Sequence, residues 1–246
     1  MSVRIVKASN VADSMSAFID RITANGVPAD EKSIYDGKRN GIFKIGECCV
    51  KKFGRPNFIN RFVYAWLRKS KARRSFENAV ELLRRGIGSP EPFGYSEIRK
   101  GLSLTDSYYF CRYIDGSTVR DWDNILKNDT LLTAFFDFTK RVYDSGVIHR
   151  DYSPGNILYA ADADGGYRFW LVDVNRIRFG KPQVSTLEQM FTVLTIIPEQ
   201  NAELCRRFAS HAGLDADAFC LAVSRRLQHY LNKKRRLRSL KRIIGK

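Results

Sequence analysis

The stretch His149-Arg150-Asp151-Tyr152-Ser153-Pro154-Gly155-Asn156 combines residue types that can do chemistry together. Asp151 and Asn156 stand five positions apart in a segment too broken by Ser, Pro and Gly for a regular helix or strand. On such a loop a carboxylate can orient an attacking hydroxyl and accept its proton, while the asparagine amide oxygen holds a divalent metal ion. Asp173 ends the apolar run YRFWLVD and adds a second carboxylate; hard oxygen ligands of this kind suit Mg2+. The set serves to neutralise charge on a transferring phosphoryl group. Taken singly, each residue has a plainer job. Asp and Asn cap turns, Asp173 terminates a strand, and His149 braces the loop from a buried position. The order of the whole segment is what carries the signal.

That order is an HxDxxxxN loop after an amphipathic helix, then a hairpin, then an Asp. It is the order of the protein-kinase-like fold. Such a fold needs a strand lysine at the nucleotide phosphates and a glutamate on the following helix to fix it. Val50-Lys51-Lys52-Phe53 supplies the strand. Alternation puts Lys51 with Cys49 and Phe53 on one face and Lys52 with Val50 on the other, and does not choose between the lysines. Glu77 lies on the next helix, with Glu81 one turn later as its competitor. Asp36-Gly37-Lys38-Arg39-Asn40-Gly41 is a turn near phosphate-loop position, although it is not GxGxxG. Val174-Asn175 stands where Phe-Gly is expected, and eleven residues separate Asp173 from the next helix at Ser185 with no APE between. A regulated activation segment does not fit there, which disfavours a peptide substrate.

The elements that must position these residues can be read from pattern. Gly41–Phe53 is a hairpin turning at Gly46. Lys69–Arg85 is a helix with Phe76, Ala79, Val80 and Leu83 on one stripe, closed by Gly86. Leu104–Tyr113 alternates as a strand, and Ser117 can cap a short helix running to Leu126. Leu131–Tyr143 is a helix; Ile157–Tyr159 and Tyr167–Asp173 are strands joined by ADADGG. Helices follow at Ser185–Ile197, Asn201–Ala212 and from Asp215 into the tail. The expectation is one α+β, protein-kinase-like domain in two lobes. Residues 1–115 form a strand-rich N-lobe, 116–230 a helical C-lobe with the catalytic loop and metal site, and 231–246 a basic tail.

Composition bounds the partners. The 246 residues carry a net charge of +16, and half of it sits in Asn232–Lys246, which has eight basic residues and no acid. A polyanionic partner is implied. No RNA-binding pattern appears, so nucleic acid is not expected. The longest apolar run, Phe191–Pro198, is far short of the roughly 20 residues that span a bilayer, and the N-terminus lacks a secretory apolar stretch. Five cysteines without a CxxC pair read as reduced thiols of a cytoplasmic protein.

Five stretches together resemble the Kdo/WaaP lipopolysaccharide kinase family. They are CVKKFG (49–54), KSKARRSFENA (69–79), GIGSPEP (86–92), the HRDYSPGN loop, and Asp173-Val174-Asn175-Arg176. The resemblance implies transfer of the ATP γ-phosphate, with Mg2+, to a sugar hydroxyl on Kdo or heptose of the lipopolysaccharide inner core. It implies Lys51 as the nucleotide lysine and Glu77 as its partner, with Asp151 as catalytic base and Asn156 and Asp173 on metal. Arg176 and Arg178 would face the anionic glycolipid. The basic tail would hold the protein on an anionic membrane surface, peripherally at the inner face of the cytoplasmic membrane. The rivals are a kinase of the same fold with another acceptor, small molecule or protein, and an inactive kinase-fold module that binds anionic membrane.

Overall fold

The computed structural model describes residues 1–37, 40–54, 69–101 and 103–243. Two compact units emerge, Met1–Asp115 together with Asp173–Arg176, and Gly116–Val172 together with Ile177–Lys246. The segment that carries Asp173 therefore packs with the N-terminal unit, although the strands flanking it in sequence belong to the other.

The N-terminal unit is built on a six-stranded sheet in the order β1-β5-β6-β4-β3-β2. Its strands are β1 (Ser2–Lys7), β2 (Ser33–Gly37), β3 (Asn40–Ile45), β4 (Cys48–Phe53), β5 (Pro92–Lys100) and β6 (Ser103–Arg112). Every pairing is antiparallel. The expected β3–β4 hairpin turns at Gly46, whose φ of +58° is open to glycine without the penalty a Cβ brings. Helix α1 (Asp13–Asn25) covers one face, where Ile19 and Ile22 join Cys48, Val50, Tyr108 and Phe110 in a buried cluster. Helix α2 (Lys71–Arg84) covers the other, with the Phe76 and Tyr95 rings 5.6 Å apart. Ser70 caps α2 by accepting the Arg73 N–H.

One expectation changes here. The buried stripe of α2 is Ala72, Ser75, Ala79 and Leu82, while Val80 and Leu83 are 44% and 42% exposed. Small residues at 72, 75 and 79 let the helix lie close to the sheet, with Leu82 buried beside them and Val80 and Leu83 left on the outer side. After Ser89-Pro90-Glu91 the chain enters strand β5, which pairs with both β1 and β6. Gly94 permits that approach, since a Cβ there would come within 2.6 Å of the Val6 carbonyl oxygen.

The second unit begins with β7 (Ser117–Thr118), so Ser117 opens a strand rather than capping a helix. The helix that follows, α3, is only Trp122–Ile125, capped by Asp121. Helix α4 (Asp129–Asp144) buries Leu131, Leu132, Phe135, Phe136, Phe138 and Val142. Phe138 stacks on Phe169 of the sheet β10-β9-β7, where β9 is Ile157–Ala161 and β10 Tyr167–Leu171. Strands β8 (Val147–Ile148) and β11 (Arg178–Phe179) pair separately. Helices α5 (Val184–Leu194), α6 (Pro198–Ala212) and α7 (Ala216–Ile243) close on Phe191, Phe208 and Phe219. All five cysteines are free thiols.

Candidate active site

In the second unit, β8 delivers the chain into the HRDYSPGN loop and β9 takes it out. His149 is buried, and its Nδ1 accepts the Asp151 backbone N–H at 3.2 Å. That leaves Nε2 as the protonated nitrogen, facing the Val172 carbonyl at 3.4 Å. Tyr152 is fully buried, with its hydroxyl 3.0 Å from that of Thr139 on α4 and its ring edge-on to His149. Burial drives the Tyr152 phenol well above its ordinary pKa, so it stays neutral and serves as an anchor. These contacts fix the backbone on both sides of Asp151. Its half-buried carboxylate meets no hydrogen bond or ion pair among the described residues.

Asn156 ends a 3-10 turn, Pro154–Asn156. Its Nδ2 donates to the Asp151 carbonyl at 2.9 Å, which commits the nitrogen and turns Oδ1 away from that bond as a hard ligand atom. The Asn156 carbonyl accepts the Val172 N–H at 2.9 Å, one residue before Asp173. Immediately before Asn156 stands Gly155, where a Cβ would run into the guanidinium of Arg120. Arg120 escaped the sequence reading because it follows β7 with no motif around it.

In the N-terminal unit, alternation along β4 places Lys51 opposite Tyr109, on the α2 face. Its Nζ lies 3.2 Å from Asp173 Oδ1, and its side chain is only 15% exposed. Lys52 lies on the other face, in register with Tyr108. Asp173 has φ +55°, in the left-handed region, where a non-glycine residue costs roughly 1–2 kcal/mol. Its carboxylate also receives Asn175 Nδ2 at 2.7 Å. Residues 174–176 form a 3-10 turn held on α2: Asn78 Nδ2 donates to the Val174 carbonyl at 2.7 Å and Arg74 to the Asn175 carbonyl at 2.9 Å.

The expected Lys51–Glu77 pair is not formed. Glu77 instead binds Lys69 and Arg73 at 2.8 Å each. Burial would raise its pKa, but those two hydrogen bonds outweigh it and hold the carboxyl below the ordinary range. Glu81 is taken by Arg84 and Arg85 and lowered to about 2, Arg84 contributing most. The reason is angular. Arg74 and Asn78, four apart, share the α2 face that meets the 174–176 turn, and Glu77 sits about 100° round the helix from Asn78. Arg176 and Arg178 are both exposed. Lys38 and Arg39 of the glycine-containing turn lie outside the described residues.

The Asp173 carboxylate in the first unit and the Asn156 amide oxygen in the second are each hard donors of the kind Mg2+ takes. Among the described residues no cluster of three or more His, Cys, Asp or Glu side chains offers a metal cage.

No family model matches the chain, and no curated protein matches it. Solved structures do. A structure of WaaP in complex with acyl carrier protein aligns over 92% of this chain and 98% of its own, with TM-score 0.56 and 14% identity. The GDP and kanamycin complex of APH(2")-IIia aligns over 91% of this chain and 93% of its own, with TM-score 0.56 and 12% identity. The chain has the protein-kinase-like fold. It is the α+β architecture that the loop and hairpin order implied, and its neighbours include the protein that gives its name to the resembling family.

Proposed function

We propose that the chain is a Mg2+-dependent kinase that transfers the γ-phosphate of ATP to a sugar hydroxyl, on Kdo or heptose, of the lipopolysaccharide inner core. The observation that carries this reading is the Lys51–Asp173 ion pair. Two residues 122 positions apart, each singled out by its own motif, meet as a phosphate-binding lysine and a metal-binding carboxylate meet in kinases. Asp151 orients the acceptor hydroxyl and takes its proton onto a carboxylate oxygen as the new P–O bond forms. His149 keeps the loop backbone in place. Lys51 binds the nucleotide phosphates, and Asn156 Oδ1 and the Asp173 carboxylate hold the metal, which when bound spreads the charge of the phosphates. Arg176 and Arg178 meet the anionic acceptor, and the basic tail meets an anionic membrane face.

Fold alone does not fix the acceptor. The resembling segments favour a core sugar, and the equal TM-score to the kanamycin complex names the control. Purified chain with Mg·ATP is offered Kdo-bearing core, heptose-bearing core, or kanamycin. Phosphate incorporation into a core oligosaccharide, abolished by EDTA and absent with kanamycin, is expected. Incorporation into neither core would overturn the acceptor assignment.

A further inference from the structure

We infer that Asn175 is a positioning residue of this site. Anchored on helix α2 by Arg74 and Asn78, it orients the Asp173 carboxylate toward the metal. The inference rests on the kinase reading above. Asp173 is the one non-glycine residue with positive φ among the described residues, so its backbone is held where the chain would not go unaided. What holds it is short and local. Asn175 is 5% exposed, and its Nδ2 reaches Asp173 Oδ1 at 2.7 Å, closer than Lys51 at 3.2 Å. The same oxygen thus carries a neutral donor and a cationic one, which sets the rotation of the carboxylate plane. Behind it, Asn78 and Arg74 each fix one carbonyl of the turn, at Val174 and Asn175.

Helix α2 consequently reaches the reacting groups through backbone carbonyls and one amide side chain, not through an acid on the lysine. Rotation or shift of α2 would move the metal ligand directly. A buried neutral amide suits the place, because it donates to the carboxylate without competing for the cation. Partners of this kind typically change metal affinity 10- to 100-fold when removed.

The test is Mg2+ titration of nucleotide binding, read by calorimetry with ATP, alongside steady-state kinetics and a melting curve. Asn175→Ala should raise the Mg2+ concentration at half-saturation about tenfold, leave metal-free ATP binding within about twofold, and lower kcat at saturating Mg2+ less than at limiting Mg2+. Asn78→Ala, which leaves Asn175 in place but frees the Val174 carbonyl, should move the Mg2+ midpoint in the same direction, and it serves if Asn175→Ala does not fold. An unchanged Mg2+ midpoint in a folded variant, with wild type showing Mg2+-dependent binding, overturns the positioning role and leaves the kinase reading standing. Wild type that binds ATP with no Mg2+ dependence overturns both.

Discussion

Lys51 and Lys52 are chemically alike and adjacent, yet the pleat separates their tasks. Lys51 reaches Asp173, whereas Lys52 shares the face of Val50 and the α1 cluster. Lys51→Ala is therefore expected to lower kcat/KM for ATP by about 10²-fold or more, the scale of losing one preorganised charge contact. Lys52→Ala should stay within a few-fold in the same assay, and equal effects would remove the strand assignment. Glu77→Gln should behave like Lys52→Ala, because its carboxylate serves Lys69 and Arg73. At this scale Asp151, Asn156 and Asp173 stand out as candidates by spacing along the sequence, whereas alternation along β4 leaves Lys51 and Lys52 open and only the family resemblance favours Lys51. Asn78, Arg74 and Asn175 do not stand out. They act through backbone carbonyls, and which carbonyl a helix face meets is decided by packing that no local pattern encodes.

At the scale of elements, α2 shows how a sound pattern points to the wrong residues. Phe76, Ala79, Val80 and Leu83 form an apolar stripe at helical spacing, but the sheet takes the face of Ala72, Ser75, Ala79 and Leu82. The sequence maximises apolarity on one side; the structure prefers small residues where helix and sheet lie close. Leu82→Ala should cost about 2–5 kcal/mol in denaturant unfolding, as for a fully buried leucine. Leu83→Ala should cost no more than about 0.5 kcal/mol. A reversed order would mean that the helix is rotated from the position described. Strand β5 and the β1–α1 segment escaped the sequence reading for related reasons. β5 buries Ser96 and Glu97 among its apolar residues, Glu97 paired to Arg99, so it lacks the alternation of a half-exposed strand. Helix α1 has Ala12 at its N-cap position, with no side-chain hydrogen bond there, which left no start signal.

On the scale of the whole molecule, charge and packing part company along α7. Phe219, Val223 and Leu227 are buried, whereas every residue from Asn232 to Ser239 is exposed. No helix among the described residues is long and apolar enough to cross a membrane. Residues 232–239 of α7 therefore stand open, with Lys233, Lys234, Arg235, Arg236 and Arg238 among them; Ile244 and the final two residues lie outside the described residues. Near an anionic leaflet each basic residue contributes on the order of 1 kcal/mol. A chain ending at Tyr230 should keep turnover on a soluble acceptor and lose salt-sensitive binding to anionic liposomes in a sedimentation assay. Undiminished liposome binding would reject the tail as the membrane contact, and lost turnover would make it part of the catalytic fold.

The central claim is that Asp151 takes the acceptor proton during phosphoryl transfer, and it is tested most directly by one comparison. Wild type and Asp151→Asn are given saturating Mg·ATP labelled at the γ-phosphate and delipidated inner-core oligosaccharide, and label entering the sugar is measured beside ATP affinity. The prediction is a fall in transfer of about 10²- to 10⁴-fold with ATP affinity changed less than a few-fold. Transfer by Asp151→Asn at the wild-type rate would contradict the account.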